Sequence, residues 1–348
     1  MSRIKHHLSR VTARLFRSIV ALLLAGLALL TLAQQAGTDG PWWLELSRYV
    51  PYPALLAPAL SALLLSLWLG RRWVLASAAT LGLVTTVTMG FVWTWPDRGD
   101  MPVRFMTYNI KAYKAVLHSD GFAGLAREVA VQDPDILVAQ DNMGASRAQA
   151  TKVWPGGRAF GYPYWFASEQ YIVASRYPLR ACAQGRIGYR GQDRRYVHCV
   201  VDVNGIELRV VTAHFESPRS GLNAARREGL EGVDDWRRNY EDRFEQSHAL
   251  ARALQGSARP LVVAGDLNAP ESSSVIRTLL GIGLRDAFSS AGRGYGYSYG
   301  QALRPGISFL RIDHILVSPE IGVADAFAGG AQASEHRPVI ADLLLRRR

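Results

Sequence analysis

The sequence predicts an α/β fold, a two-layer β-sandwich flanked by helices and preceded by three apolar helices. Three observations lead there. From Met101 onward, apolar β-rich runs alternate with helical segments, the pattern of sheets covered by helices. Those runs end in short polar clusters: Thr107-Tyr108-Asn109, Gln140-Asp141, Thr212-Ala213-His214, Gly265-Asp266-Leu267-Asn268, Arg311-Ile312-Asp313-His314 and, before the C-terminus, Ser334-Glu335-His336. The first hundred residues instead carry three long stretches without Asp, Glu, Lys or Arg.

Those stretches cover about 18–36, 50–69 and 73–95, each near the roughly 20 residues that cross a bilayer. Trp42, Trp43, Trp68, Trp73, Trp93 and Trp95 flank them, as an interfacial belt does. Core helices of a soluble unit are the alternative reading. Arg3, Lys5, Arg10, Arg14 and Arg17 attend the start of the first stretch, and Arg71-Arg72 separate the second from the third. Arg48 stands against Asp39 and Glu45 in the remaining loop. The positive-inside rule then places the N-terminus and the Arg71-Arg72 turn in the cytoplasm and everything after the third span outside. A cleaved signal peptide over the first stretch leads to the same side, although no clean small-x-small site closes it. The expectation is a multi-pass cell-membrane protein. Residues 1–96 form the anchor, 101–348 form an extracytoplasmic domain, and membrane lipids are the neighbours.

Charge narrows the partners. Of 40 basic and 29 acidic residues, eight basic and two acidic fall in 1–96. The domain that follows is close to neutral, and Arg346-Arg347-Arg348 supply part of its excess. A protein that grips long nucleic acid needs many cations, so nucleic acid is the less favoured substrate. No protein partner is indicated. The two cysteines, Cys182 and Cys199, fall in 178–186 and 195–204, two strands joined by a turn-rich segment. If Arg186 opposes Arg195, Cys182 opposes Cys199. A disulfide across the hairpin and two separate buried thiols both remain open.

The elements of the domain follow in order. Residues 103–110 alternate as a strand and deliver Asn109, a residue type equally at home in a turn. A helix spans Gly121 to Gln132 and stops at Asp133-Pro134. Residues 135–141 form a buried strand ending in Asp141, an oxygen ligand suited to hard divalent cations. Residues 169–179 form a further strand, with Arg176 near its end and more naturally salt-bridged than bound to substrate. Ile206–Thr212 delivers His214, and Arg219 follows as a guanidinium suited to phosphate. Residues 223–254 read as a charged, solvated helix. In 260–269 a buried strand reaches Gly265, where backbone can approach closely, then offers Asp266 and Asn268 two apart on one face. Residues 309–319 carry Asp313, and 334–340 bring Glu335 and His336 to the sheet edge.

In this order, the clusters resemble the endonuclease/exonuclease/phosphatase superfamily, the DNase I-like metal-dependent phosphoesterases, over about Met101 to the end. The resemblance implies roles. Asp266 is the base, Asn268 and His214 hold the phosphoryl oxygens, and Asp313 orients His336, which stabilises the pentavalent phosphorane. Asn109, Asp141 and Glu335 hold a divalent metal, Mg²⁺ first and Mn²⁺ or Ca²⁺ as alternatives, and Arg219 binds substrate. Two acids depart from the family pattern: Asp141 stands for Glu, and Glu335 for Asp. Together with the three spans and the His214-Phe215-Glu216-Ser217-Pro218-Arg219 segment, the chain is similar to a membrane-anchored bacterial branch linked to glycopeptide resistance and to recycling of a polyprenyl pyrophosphate carrier. The implied function is hydrolysis of a lipid-linked phosphate or pyrophosphate outside the membrane. The alternatives are an exported anchored nuclease, a sphingomyelinase-like phosphodiesterase, or a metal-poor, non-catalytic binding module.

Overall fold

Alternation along the strands after Met101 makes two apolar faces, and those faces close on each other. The computed structural model describes residues 2–35, 41–115, 120–142, 157–257, 260–300 and 307–346. Asp39, Arg347 and Arg348, charges used above, lie outside them. The chain divides into two compact units, Met1–Phe91 and Val92–Arg348.

The first unit holds α1 (Ser2–Gln35), α2 (Trp42–Ser47), α3 (Tyr52–Ser66) and α4 (Arg71–Leu83), the last continuing into a π-helical turn at Val84–Thr88. Among the described helices, one is long and apolar enough to cross a membrane: Val11–Gln35 of α1, 25 residues. Of the three expected spans, this is the one that has the length and composition. Helix α3 has 15 residues. At 1.5 Å per residue it reaches about 22 Å, short of the ~30 Å hydrocarbon core. The third stretch stops being helical after Thr88, and Val92–Trp93 form a short strand instead. Arg48 and Glu45, read above as loop charges, are fully buried and bonded to each other at 2.7 Å. Arg48 also donates to the Gln34 carbonyl at 2.8 Å.

In the second unit, the strands are β1 (Val92–Trp93), β2 (Met101–Asn109), β3 (Ile136–Gln140), β4 (Tyr164–Ser168), β5 (Tyr171–Ser175), β6 (Leu179–Arg186), β7 (Arg195–Val203) and β8 (Ile206–Thr212). After them come β9 (Leu261–Asp266), β10 (Arg285–Asp286), β11 (Arg293–Gly294), β12 (Asp313–Val317), β13 (Gly322–Ala328) and β14 (Val339–Leu345). Its helices are α5 (Ala112–Ala115), α6 (Gly121–Gln132), α7 (Arg219–Arg227), α8 (Leu230–Leu254), α9 (Ser274–Leu280) and α10 (Ala287–Ala291). One six-stranded sheet runs β13-β14-β2-β3-β5-β4 and the other β10-β12-β9-β8-β7-β6. Only β2–β3 and β8–β9 pair in parallel within them.

The sandwich core is built from alternate residues of both sheets. Val103, Phe105, Ile136, Val138 and Val173 come from one, and Val197, Val210, Val262, Ala264, Ile315 and Val317 from the other. Outside, α6 buries Phe122, Leu125 and Val129 against Met106, Tyr108 and Leu137. That i, i+3, i+7 stripe is what makes the segment amphipathic. It stops where Asp133 turns left-handed before Pro134. Helix α8 covers the other side with Trp236, Leu250 and Leu254 buried.

The β6–β7 hairpin carries the disulfide Cys182–Cys199, which resolves the two readings of these thiols. Arg186 opposes Arg195, and the register shifts between Arg180 and Ala183. At Gly265, with φ +154°, an added Cβ would lie 1.9 Å from the Ala213 carbonyl oxygen, so only glycine lets β9 run this close to the end of β8.

Candidate active site

The same alternation that fills the core also builds the site. Because side chains repeat every two residues, the inward rows of β2, β3, β8, β9 and β12 all end at one rim of the sandwich. Each row is apolar inside and polar at its end. Val103 and Phe105 lead to Thr107 and Asn109, Val138 to Gln140, Val210 to Thr212, Ala264 to Asp266, and Ile315 to Asp313. Gln140 Nε2 donates to Thr107 at 3.0 Å and to Thr212 at 2.9 Å. This buried amide–hydroxyl layer separates the apolar core from the charged groups above it and satisfies its own polar atoms.

Asp266 is the hub. It sits directly opposite Asp313 in the antiparallel pairing. Its Oδ2 accepts from Asn109 Nδ2 at 2.8 Å, and its Oδ1 accepts from the Asn268 backbone N–H at 3.0 Å. His214 Nε2 lies 3.5 Å and His336 Nε2 3.7 Å from the same Oδ2. Both are longer than an ordinary hydrogen bond, so the two imidazoles stand beside Asp266 and are not tightly bonded to it. His336 Nδ1 is 2.9 Å from Asp313 Oδ2. The loop carrying His336 is tied down by Ser334, whose hydroxyl donates to the Asn109 carbonyl at 2.8 Å.

The two imidazoles are set to different states. Burial opposes the charge of His336, but Asp313 and Asp266 outweigh it and raise its pKa above the ordinary value. Burial lowers that of His214, with Asp266 only partly offsetting. Gln170 Oε1 faces His214 Nδ1 at 2.7 Å. This contact fixes the ring so that Nε2 faces Asp266.

The remaining predicted residues stand around this centre. Asn268 reaches it through its N–H, while its side-chain amide donates to the Phe215 carbonyl at 2.9 Å. Asp141 pairs with Lys111, Nζ to Oδ2 2.8 Å. Glu335 pairs with Lys114 and with Arg219, the latter at 3.2 Å. Burial raises the Glu335 pKa, but these two cations bring it below the usual carboxylate range. Arg219 also donates to the Tyr299 hydroxyl at 2.9 Å. Tyr299 stacks obliquely on His336, ring centres 4.7 Å apart. The contacts of the predicted metal set Asn109, Asp141 and Glu335 therefore run to Asp266, Lys111, Lys114 and Arg219 rather than to one shared point.

The donors that do converge are Asp266, Asp313 and His336, whose ligand atoms all lie within 4.8 Å of one another. Asp313 Oδ1 is buried without a hydrogen-bond partner. An orphaned carboxylate oxygen beside a second carboxylate and an imidazole suits a divalent cation. Sequence reading missed Lys111, Lys114, Gln170 and Tyr299. The two lysines were visible as cations just after Asn109; nothing local marks Gln170 or Tyr299.

A sequence model of the Endonuclease/Exonuclease/phosphatase family matches residues 106–336. The chain belongs to this family. Members of the Endonuclease/Exonuclease/phosphatase family are phosphoesterase hydrolases, and so is this protein. A family protein from Bacteroides thetaiotaomicron superposes with a TM-score of 0.54 at 15% identity, covering 71% of this chain and 100% of that one. One from Beutenbergia cavernae gives 0.52 at 21%, covering 72% of each chain. TDP2 of D. rerio, solved with a single-strand DNA product, gives 0.52 at 16%, covering 70% and 99%. At these identities the likeness is one of fold. No curated protein sequence matches the chain.

Proposed function

We propose that the protein is a membrane-anchored, outward-facing phosphoesterase that hydrolyses a lipid-linked phosphate or pyrophosphate of the polyprenyl pyrophosphate kind. The observation that carries this reading is one chain joining a phosphoesterase domain to the apolar helix Val11–Gln35. Anchoring raises the effective concentration of substrates that share the bilayer. The basic residues Arg3, Lys5 and Arg10 ahead of that helix support a cytoplasmic N-terminus.

In this reading the phosphoryl group lies against the face formed by Asp266 Oδ2, His214 Nε2 and His336 Nε2. Asp266 takes one proton of the attacking water, and His214 accepts the hydrogen bond of the other. Asn109 and the Asn268 N–H hold Asp266 in place. The His336 imidazolium, aligned by Asp313, donates to a phosphoryl oxygen as charge develops there. A divalent ion on Asp266, Asp313 and the neutral form of His336 would supply positive charge to the same oxygens in place of that donor. Arg219 and Lys114 at the rim suit a second phosphate.

The test uses the full chain in lipid nanodiscs with Mg²⁺, Mn²⁺ or Ca²⁺. Phosphate release from a polyprenyl pyrophosphate should exceed cleavage of sphingomyelin or DNA at least tenfold. Cleavage of DNA or sphingomyelin with the lipid pyrophosphate untouched overturns the substrate. Orientation has its own test, a reporter active only in the cytoplasm fused after Arg348. Strong reporter activity overturns the outward placement.

A further inference from the structure

The loops leaving β2 and β3 are zipped together. Ile110 N–H donates to the Gln140 carbonyl and Ala112 N–H to the Asp141 carbonyl, both at 3.0 Å. The zipping sets Lys111 beside Asp141, where the two side chains are 13% and 15% exposed and 2.8 Å apart. Both residues are held in left-handed backbone, φ 44° for Lys111 and 61° for Asp141. A lysine gains nothing locally from that conformation, so the surrounding contacts impose it. Asn109 completes the arrangement. Its amide nitrogen is committed to Asp266, and its Oδ1, the atom that would bind a cation, accepts the Lys111 backbone N–H at 3.2 Å.

We propose that Lys111 is a resident cation, its ammonium occupying the place beside Asp141 and Asn109 that a divalent ion would need. The chain then takes one divalent ion, on Asp266, Asp313 and His336, and none on Asn109 and Asp141.

Two features distinguish the positions. At Asp141 the negative charge is answered by a side chain tethered two residues from Asn109. At Asp313 a buried carboxylate oxygen has no donor at all. Mg²⁺ needs near-octahedral oxygen ligands at about 2.0–2.1 Å. It cannot share an oxygen with an ammonium without bringing two cations together. The sequence departure fits the same picture, because the shorter acid at position 141 leaves room for the lysine head group. The inference rests on the phosphoesterase centre but not on the choice of substrate, since binding is measured without one.

The experiment is Mn²⁺ titration of the full chain in detergent, read by electron paramagnetic resonance of the free ion and by calorimetry. The wild type should bind one ion per chain. Asp313→Asn should weaken that binding at least tenfold, and Asp141→Asn should change it less than threefold. Lys111→Met should gain a second ion, which Asp141→Asn in the same chain removes. Lys111→Arg, which keeps the charge, should bind one ion like the wild type and guards against a poorly folded methionine variant. Two ions on the wild type, no ion on the wild type, or loss of its ion on Asp141→Asn each overturns the proposal. So does a well-folded Lys111→Met that still binds a single ion with unchanged affinity.

Discussion

Two Asp–His pairs sit on adjacent residues of β12 and have opposite fates. His314 Nδ1 is 2.8 Å from Asp286, and its Nε2 is 2.9 Å from the Ala269 carbonyl. Asp286 also receives Arg311 at 2.8 Å and the Ser289 N–H at 3.0 Å. Burial works against its charge, yet Arg311 and His314 hold its carboxyl well below the usual range. His336 and Asp313 begin with the same contact at 2.9 Å but stop there. His336 Nε2 faces Asp266 across 3.7 Å, and Asp313 Oδ1 has no partner. The first pair is saturated by the protein and belongs to the scaffold. The second is left open, and its unspent capacity is what a ligand can use.

The comparison breaks first at its closed side. Asp286→Ala leaves Arg311 and His314 buried against nothing at that point. Chemical denaturation should show a loss of about 3–5 kcal/mol, the usual result of removing one partner of a buried pair. Activity per folded molecule should survive. A stability change under 1 kcal/mol would mean that Glu271, Arg311's other partner, carries the network.

On the open side the expected pattern is reversed. Asp266→Asn and His336→Ala should lower kcat by about a hundredfold or more, as loss of one electrostatic group in an active site does. Asp266→Asn should melt near the wild type, whereas His336→Ala leaves Asp313 buried without its partner and should melt lower, so kcat is compared per folded molecule. Turnover within threefold of wild type in either variant would remove that residue from the mechanism.

The pH dependence sharpens the contrast because the shifts have opposite signs. The raised His336 contributes stability that is full below the ordinary His value of about 6.5 and is lost as pH rises through its raised pKa. Asp286 contributes stability present above about 3.9 and lost as pH falls through its depressed value. His214, lowered by burial, costs stability as pH falls below about 6.5. If the imidazolium donates, kcat/KM should fall on the alkaline side, and Asp313→Asn should move that limb to lower pH. A limb that does not move would show that Asp313 does not sustain the His336 charge.

The smallest effect is expected at the rim. Lys114 is 34% exposed and pairs with Glu335 in solvent reach. Lys114→Ala should raise KM several-fold with kcat nearly unchanged, since exposed pairs contribute about 1 kcal/mol or less. A change in kcat alone would place this lysine at the reacting phosphate.

Much of the fold was legible because its signals are local. The helix Gly121–Gln132 and the strand Ile206–Thr212 lie where period and breakers put them. Hairpin register made the cysteine pairing one of two open readings, and the structure chose it. Helix lengths in the first unit did not follow. Hydropathy registers apolar residues, not where backbone leaves the helix, so the third stretch ran past Thr88 into β1. Within the site, Asn109, Asp266 and Asp313 share a rim because they lie at strand ends of known parity, and His214 and His336 stand on the adjoining loops. The partners of Asp141 and Glu335 were not legible, since Lys111, Lys114 and Arg219 reach them through loop geometry.

By itself, then, the sequence determined which residues could face the sandwich interior and which polar groups would end each inward row, because side-chain period is a property of the strand alone. Tertiary structure decided which partners the acids met. Asp286 was closed by Arg311 and His314, Asp141 by a lysine, and Asp313 by nothing on one oxygen. That outcome depends on groups brought within about 4 Å from distant parts of the chain, and electrostatic interactions at that range are set by distance and burial rather than by order in sequence.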